Sequence, residues 1–314
     1  MIAVTEIREL SIVPPAGRRR LSHISAASGL VHINTNIYVV ADDELHLGVF
    51  SDTGSDPGRL VRLFDGELPR GNTDRKRQKP DLEALTRIPA FENYPHGALL
   101  ALGSGSRPNR RRGALLALDS RGMICGVPVV LDMSCVLTPL HREFAQLNIE
   151  GAVVAGDGLL LFQRASKAAS DNAIIHYPMS EVLCALNGAG SNIVKPSAIR
   201  RISLGAVEGV PFSFTDAAAL PNGDIVFCAV AEDTEDAYRD GPCIGAGVGT
   251  LDADGQPQFF EQLDRPYKVE GIDARQDRDR IRVLMVTDAD DPATPAALLC
   301  ASIPSQPDLS AMRG

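Results

Sequence analysis

The 314-residue chain contains no tryptophan, and aromatic residues make up only 5% of it. No stretch approaches the roughly 18 to 20 apolar residues that a membrane helix needs. The N-terminal residues also lack the basic segment and apolar core of a secretory signal, so we expect a cytoplasmic protein with no membrane partner. The formal net charge of −9 makes the chain a poor candidate for coating nucleic acid.

Several catalytic motifs are missing as well. The six cysteines show no CxxC pair and no zinc spacing, and we expect reduced thiols packed as small hydrophobes. No GxSxG segment marks a serine hydrolase. The GSGS segment that starts at Gly103 lacks the GxxxxGK[ST] pattern, so it is a weak signal for a phosphate loop.

What the chain does contain is turn residues and short β-forming runs. It has 28 Gly and 21 Pro, and its 44% hydrophobic content is ample for a core. Runs of about four to eight β-formers alternate with turn signals. Helical periodicity is weak, with residues 180–186 as the best candidate. The pattern predicts an all-β protein.

Five segments of the chain share one pattern, in which an oxygen-bearing residue precedes a small or apolar pair and a β-type run. These anchors lie about 54 to 67 residues apart, which is the repeat length of a propeller. The anchors are Ser28, Glu83, Glu150, Asp216 and Glu270. Each anchor is followed by candidate inner, second and third strands. We therefore predict a five-bladed β-propeller in which residues 1–314 form a single domain.

The outer strands follow the same plan in four repeats, at residues 60–68, 127–136, 198–207 and 258–263. The fifth repeat has no room for one before a C-terminal tail from about residue 304. Residues 4–13 have the length and alternation of a strand, so we expect this N-terminal strand to close the fifth blade. Such closure removes a free sheet edge. The charged connection 66–79 and the arginines at 110–112 are expected to be solvated.

Equivalent positions of the blades meet around the propeller axis, so the five anchors should converge. Four clustered carboxylates cannot all ionise unaided, because each raises the pKa of the next. Calcium takes six to eight oxygen ligands, and no His or Cys favours zinc. We predict calcium, with magnesium second, at Ser28, Glu83, Glu150, Asp216 and Glu270. The alternative is that these acids bond backbone amides or cap strand ends.

The polar loops after the second strands should surround one mouth of the channel. Asp42, Asp43 and Arg164 are the candidate catalytic residues, because carboxylates can orient or deprotonate a water and arginine forks hold anionic oxygens. For Arg164, a structural ion pair is an equally open interpretation. The candidate substrate-binding residues are Ser104, Arg107, Lys167, Glu232 and Asp288. Among the scattered histidines, His32 is the one expected near the channel.

The anchors and several local segments resemble the calcium-activated nucleotidases, the five-bladed apyrases. The matching segments are VVADDE at 39–44, LLLFQRAS at 159–166, ALPNGDIVFCAVAED at 219–233 and YKVEGID at 267–273. That family holds calcium at the tunnel centre with one Ser or Glu per blade, so the resemblance implies the same fold and metal. Asp216 stands where the family tends to have Ser. The repeats are also similar to bacterial phytase-like and esterase-like propellers.

Three functions follow from these patterns. The first is calcium-dependent hydrolysis of a phosphate ester, a phosphate anhydride or a similar small anionic molecule at the channel mouth. The second is a metal-dependent lactonase or esterase. The third is a non-catalytic propeller in which calcium staples the blades and the mouth binds a small molecule or a protein.

Overall fold

The computed structural model describes residues 1–14, 22–69, 71–165, 172–186, 193–234 and 241–305. These residues form five antiparallel four-stranded sheets and one small hairpin. The first strand, β1 (Thr5–Glu9), belongs to the last sheet. The chain beyond residue 305 and the candidate substrate contact Lys167 lie outside the described residues.

Four strands build each blade, from the inner strand at the axis to the outer strand. Blade one contains β2 (Ala27–Ile33), β3 (Asn36–Ala41), β4 (His46–Ser51) and β5 (Arg59–Arg62). Blade two contains β6 (Leu82–Ile88), β7 (Ala98–Gly103), β8 (Arg112–Ala117) and β9 (Val129–Asp132). Blade three contains β10 (Ile149–Ala155), β11 (Gly158–Gln163), β12 (Asn172–Pro178) and β13 (Ala198–Ile202).

A short hairpin of β14 (Ala206–Val207) and β15 (Val210–Pro211) leads into the fourth blade. Blade four contains β16 (Ser213–Ala219), β17 (Ile225–Glu232), β18 (Cys243–Leu251) and β19 (Pro257–Gln262). Blade five contains β20 (Val269–Asp277), β21 (Arg280–Thr287) and β22 (Ala297–Pro304), and β1 pairs antiparallel with β22 as its outer strand. The predicted closure by the N-terminal strand is therefore confirmed.

The inner strands close the ring. Each contacts the next around the axis, from β2 through β6, β10 and β16 to β20, and β20 contacts β2 again. The five-bladed propeller predicted from the repeats is thus confirmed.

Five hydrophobic clusters fill the five interfaces between adjacent blades. The reason is that successive side chains of a strand point to opposite faces, and both faces of each sheet pack against a neighbouring blade. The second strand β7 shows the result, since all six of its residues are buried. Its sequence, ALLALG, is accordingly a continuous apolar run rather than an alternating one.

The connections differ from the sequence-based expectation in two respects. The outer strands of every blade except the fourth are shorter than predicted. In blade two, β9 ends at Asp132 and is followed by the helical turn α2 (Ser134–Leu137). The connection 66–79, expected to be a loop, contains the helix α1 (Asn72–Gln78). The expected helix near residue 180 is present as α3 (Met179–Leu186). Among the described residues, no helix is long and apolar enough to span a bilayer.

Candidate functional site

Each inner strand carries a β-bulge near its start. The register with the second strand shifts between Ala27 and Gly29 in blade one, and at the corresponding place in the other four blades. A bulge inserts one extra residue into the strand and can re-aim its side chain. The bulged residues are Ser28, Glu83, Glu150, Thr215 and Glu270. Four of the five predicted anchors therefore occupy equivalent positions.

The fourth anchor needs a correction of one residue. In blade four the bulge lies between Phe214 and Asp216, so Thr215 is the equivalent residue and Asp216 follows it. The sequence suggested Asp216 because both residues carry an oxygen and only the backbone register distinguishes them. We call the five bulged residues the ring; after this correction it contains two hydroxyls, from Ser28 and Thr215, and three carboxylates.

Asp216 lies deeper than the ring and is fully buried. Its Oδ2 accepts a hydrogen bond of 2.9 Å from the backbone N–H of Ile272 in blade five, whereas its Oδ1 has no hydrogen-bond partner among the described residues. A Cβ atom added to Gly151 in blade three would come within 3.0 Å of this Oδ1. The other equivalent positions hold Gly29, Ala84 and Gly271. Small residues in four blades thus leave room for one carboxyl group among the inner strands.

Burial raises the pKa of the Asp216 carboxyl well above its usual range, although backbone hydrogen bonds act in the opposite direction. We call this buried carboxyl group the Asp216 plug of the channel, and burial favours its protonated, uncharged form. It is not among the residues that line the mouth cavity.

The mouth cavity is a narrow space of about 60 Å³. Most of its lining groups are ionisable, with carboxylates and basic side chains alternating. Its lining comprises Ser28, Asp42, Lys76, Lys79, Asp81, Glu83, Arg110, Asn148, Glu150, Arg164, Glu232, Lys268, Glu270 and Asp288. The structure thus brings together four of the five predicted metal ligands with Asp42, Arg164, Glu232 and Asp288.

Three other candidate residues lie outside this lining. Asp43 accepts a hydrogen bond of 3.2 Å from Arg75 Nε. The buried Ser104 donates to Asp81 Oδ2 at 2.5 Å, so its hydroxyl supports a lining residue instead of contacting the cavity. Arg107 is exposed at the surface.

Arg164 is the centre of one half of the site. Its guanidinium lies 3.3 Å from Glu150 Oε2, 2.7 Å from Glu232 Oε2 and 3.8 Å from Glu270 Oε1. Its side chain is only 12% exposed. Arg164 therefore neutralises two of the predicted metal ligands and is engaged in structural ion pairs.

Lys268 is the second basic residue in the half of the site that contains Arg164. Its ammonium lies 3.0 Å from Glu232 Oε1 and 3.8 Å from Glu270 Oε1, and it also contacts Asp290. The sequence analysis did not identify Lys268. A signal was present, because Lys268, Asn148 and Asp81 each stand two residues before an anchor, and such residues lie on the same side of a strand.

Asp42, Asp81 and Glu83 form the other half. One carboxylate oxygen from each lies within 4.8 Å of the others. Lys79 Nζ contacts Asp42 and lies 3.0 Å from Asp81 Oδ1. Arg110 Nη1 donates to Asp81 Oδ2 at 2.7 Å. Lys79 and Arg110 are both buried, so the expectation that their segments are simply solvated is wrong for these two side chains.

The carboxyl groups at the mouth are difficult to ionise. Burial, followed by the charges of Glu150, Asp81 and Asp42, raises the pKa of Glu83 well above its usual range. Burial likewise raises the pKa of Glu270 well above its usual range. The pKa values of Glu150 and Asp288 are raised to about 7, again chiefly by burial. Burial therefore favours the protonated form of each of these carboxyl groups.

A second cavity of about 590 Å³ lies at the opposite end of the inner strands. His32 lines it, as expected for a histidine near the channel, and its Nε2 lies 3.0 Å from Asp52 Oδ2. Burial and then the charge of Arg275 lower the pKa of His32. His32 N donates at 2.9 Å to Asp273, whose pKa is raised to about 6 by burial. Asp216 lines neither this cavity nor the mouth.

Comparison with known proteins gives little information on what this protein does. No curated protein matches the chain. Luciferin-regenerating enzyme is similar over 96% of this chain and 95% of its own, at 9% identity and a TM-score of 0.45. Glutaminyl cyclase of Myxococcus xanthus is similar over 96% and 98%, at 11% identity and a TM-score of 0.48. Similarities of this size carry no information on activity.

The ring of five sheets supports the propeller fold that the apyrase-like resemblance implied. Nucleotide specificity finds no support in these comparisons. One family model covers most of the chain, from residue 23 to residue 303. The protein therefore belongs to the family of unknown function DUF6929.

Proposed function

We propose that this propeller binds one hard divalent cation, calcium in the first place, at Asp42, Asp81 and Glu83. We further propose that the mouth holding it hydrolyses a small anionic substrate such as a phosphate ester. The observation that carries the proposal is the group of three carboxylate oxygens within 4.8 Å of one another. Among the described residues, Glu83 has no ion-pair partner, which leaves its charge available to a cation.

The spacing of the three oxygens is within the reach of calcium. Calcium–oxygen distances of about 2.3–2.6 Å allow two ligands of one ion to lie up to about 5 Å apart. Magnesium–oxygen distances of about 2.0–2.1 Å limit this separation to roughly 4.2 Å. The three oxygens lie within 4.8 Å of one another, so one calcium ion can reach all of them. All three donors are hard carboxylate oxygens, which is the chemistry calcium prefers.

The charged groups that line the mouth also favour a bound divalent cation. Seven carboxyl groups and five basic side chains line the cavity, so a divalent cation would favour the ionised form of the surplus carboxyl groups. Burial is the first cause of the raised pKa values of Glu83 and Glu270, and neighbouring carboxylates add to it. Glu150 and Glu270 lie near Arg164, and Asp42 and Asp81 lie near Lys79. Among the ring glutamates of the described residues, Glu83 is the one without an ion pair, which favours the half of the mouth that contains it.

The remaining groups have separable roles in this proposal. The cation supplies charge stabilisation when bound. Asp288 lies at the edge of the mouth, where its carboxylate can accept a proton from an attacking water. Arg164 is a positioning residue, because it orients Glu150, Glu232 and Glu270. A cavity of about 60 Å³ has room for a reacting group and not for a whole nucleotide.

Calorimetric titration of chelator-stripped protein with calcium tests the cation site. We expect one site per chain, with Glu83→Gln weakening binding by at least about tenfold, as a lost charged ligand should. Asp74→Asn is the matched control, because Asp74 is an exposed acid on α1. Absence of calcium binding at millimolar concentrations in the wild type would overturn the proposal.

Hydrolysis is tested separately with aryl phosphates, phytate, nucleoside di- and triphosphates and lactones, each with calcium and with chelator. We expect phosphate release that requires calcium. Turnover of lactones without phosphate release would select the lactonase alternative. No turnover of any substrate by calcium-loaded protein would leave a non-catalytic propeller.

A further inference from the structure

Lys79 already places a cation among the proposed calcium ligands. It directly follows α1, its side chain is 9% exposed, and its ammonium contacts Asp42 and lies 3.0 Å from Asp81 Oδ1. These are two of the three carboxylates assigned to the divalent ion. An ammonium and a metal ion compete for the same oxygens, because each needs to approach them directly.

The helix that precedes Lys79 has a wholly polar sequence. The seven residues of α1, NTDRKRQ, include no apolar side chain. A helix this short has little stability of its own in water. Its position therefore depends on the groups that bind it from the neighbouring blades.

Ion pairs and hydrogen bonds attach α1 to both neighbouring blades. Arg75 of α1 lies 3.2 Å from Asp43 Oδ2 and 2.8 Å from Glu44 Oε1 in blade one. From blade two, Arg110 donates to the backbone carbonyl of Lys76 at 2.9 Å. Asn109 donates to the carbonyl of Lys79 at 3.0 Å. Attachment by ion pairs and hydrogen bonds is weakened by salt and by competing ions far more than a packed apolar face is.

The chain before α1 is suited to a change of position. Gly66 has a φ of +96°, in the left-handed region, and a Cβ atom at Gly66 or Gly71 would meet nothing within 4 Å. The segment before α1 is therefore loosely packed at Gly66 and at Gly71. Movement of α1 would also widen a mouth that Lys76 and Lys79 help to line.

We propose that Lys79 is an internal competitor of the divalent cation and that α1 is a latch released when the cation binds. This inference rests on the cation site proposed above. In the closed state the Lys79 ammonium binds Asp42 and Asp81. A divalent ion that takes these oxygens displaces the ammonium, and α1, having lost this attachment, leaves the mouth.

Calcium titration of Lys79→Met tests the competition. We expect binding at least about tenfold tighter than in the wild type, because a competing unit charge is gone. Lys79→Arg retains the charge and should bind calcium no more tightly than the wild type. Arg77→Met is the matched control, since Arg77 lies on the same helix with a side chain 71% exposed. Its affinity should equal that of the wild type.

The outcomes separate the two proposals. Equal or weaker calcium binding by Lys79→Met, with binding by the wild type intact, overturns the latch and leaves the cation site standing. No binding by either protein overturns both. Melting temperatures with and without calcium show whether Lys79→Met is folded, and a folded variant should gain more stability from calcium than the wild type does.

Limited trypsin digestion tests the movement of α1. Arg75, Lys76 and Arg77 are three successive cleavage sites on this helix. We expect calcium to accelerate cleavage there several-fold in the wild type, at matched ionic strength, while cleavage after the exposed Arg121 is unchanged. In Lys79→Met, cleavage should be fast without calcium. Cleavage of the wild type that calcium slows or leaves unchanged would contradict release of the latch.

Discussion

Ser28 and Thr215 make the same hydrogen bond in blades one and four. The Ser28 hydroxyl donates to the backbone carbonyl of Leu82, and the Thr215 hydroxyl donates at 2.7 Å to that of Val269. Each acceptor immediately precedes the bulged glutamate of the next blade. The two hydroxyl anchors therefore tie neighbouring blades together, while the glutamate anchors face the charged mouth. Direct contact of Ser28 with a metal ion stays a prediction.

Replacing Thr215 by valine should weaken the tie between blades four and five. The substitution keeps the shape of the side chain and removes the donor, leaving the buried carbonyl of Val269 without this partner. Such a loss costs about 1–3 kcal/mol of unfolding free energy. Denaturant unfolding measures it, and calcium titration provides the control, since the affinity should not change. Stability equal to that of the wild type would show that this hydrogen bond contributes nothing.

Replacing Asp216 by asparagine should preserve the buried hydrogen bond to Ile272 and the stability of the fold. An asparagine oxygen can still accept from Ile272 N–H, and the amide has no charge to bury. Because burial raises the pKa of Asp216, the wild-type carboxyl favours the folded state when protonated and loses this advantage as pH rises through its folded pKa.

We therefore expect Asp216→Asn to be as stable as the wild type at pH 7 and less sensitive to higher pH. Asp216→Ala is the contrasting variant. It should lose about 2–4 kcal/mol through a cavity and an unpaired N–H. Thermal unfolding between pH 6 and 9 measures both variants, and a large loss of stability in Asp216→Asn would contradict a neutral plug.

Replacing Arg164 by glutamine should destabilise the protein strongly. The change leaves Glu150, Glu232 and Glu270 without their shared partner, and breaking a buried ion pair typically costs about 3–5 kcal/mol. Lowering the pH should restore part of the loss, because the pKa of Glu150 is already raised to about 7 and the carboxyls can then be protonated. Denaturant unfolding at pH 6 and pH 8 measures the difference. A variant equally stable at both pH values would contradict this role.

Asp273 should make the protein less stable as pH rises through the range of about 4 to 6. Its folded pKa of about 6 lies above the ordinary value of 3.8, so the folded state binds more protons there. By linkage its contribution is greatest below pH 4 and declines by up to about 3 kcal/mol as pH approaches its folded pKa. Asp273→Asn should remove this slope while its side-chain oxygen still accepts from His32 N. An unchanged slope in denaturant titrations would contradict the assignment.

Blade number, closure by the N-terminal strand and four ring positions could be predicted from the sequence. They depend on local patterns that recur in each repeat, namely an oxygen-bearing residue before a small pair and a β-type run. The sequence could not show which residue of blade four occupies the ring position, because both Thr215 and Asp216 satisfy that pattern. The position of the bulge decides it, and the bulge is a property of backbone pairing. A shift of one residue along the strand decides whether a side chain joins the ring or plugs the channel.

The basic residues of the mouth were harder to predict. Lys79 and Arg110 belong to charge-rich connections that look solvated, since sequence does not show where a long connection returns to the fold. In the structure both reach Asp81, which itself stands two residues before an anchor. The carboxylates could be found from their periodicity, whereas their partners depend on contacts between blades one and two.

The pairing of β1 with β22 also constrains how the protein is made. Thr5 lies opposite Cys300, so the fifth blade combines the first strand of the propeller in chain order with its last three. Blades one to four can assemble during synthesis, but the ring closes only after β22 has emerged. Until then β1 waits without its native partner, and the edge of β22 offers a β1 strand from another molecule the same hydrogen bonds. Ring closure is thus the step at which correct folding competes with strand exchange between chains.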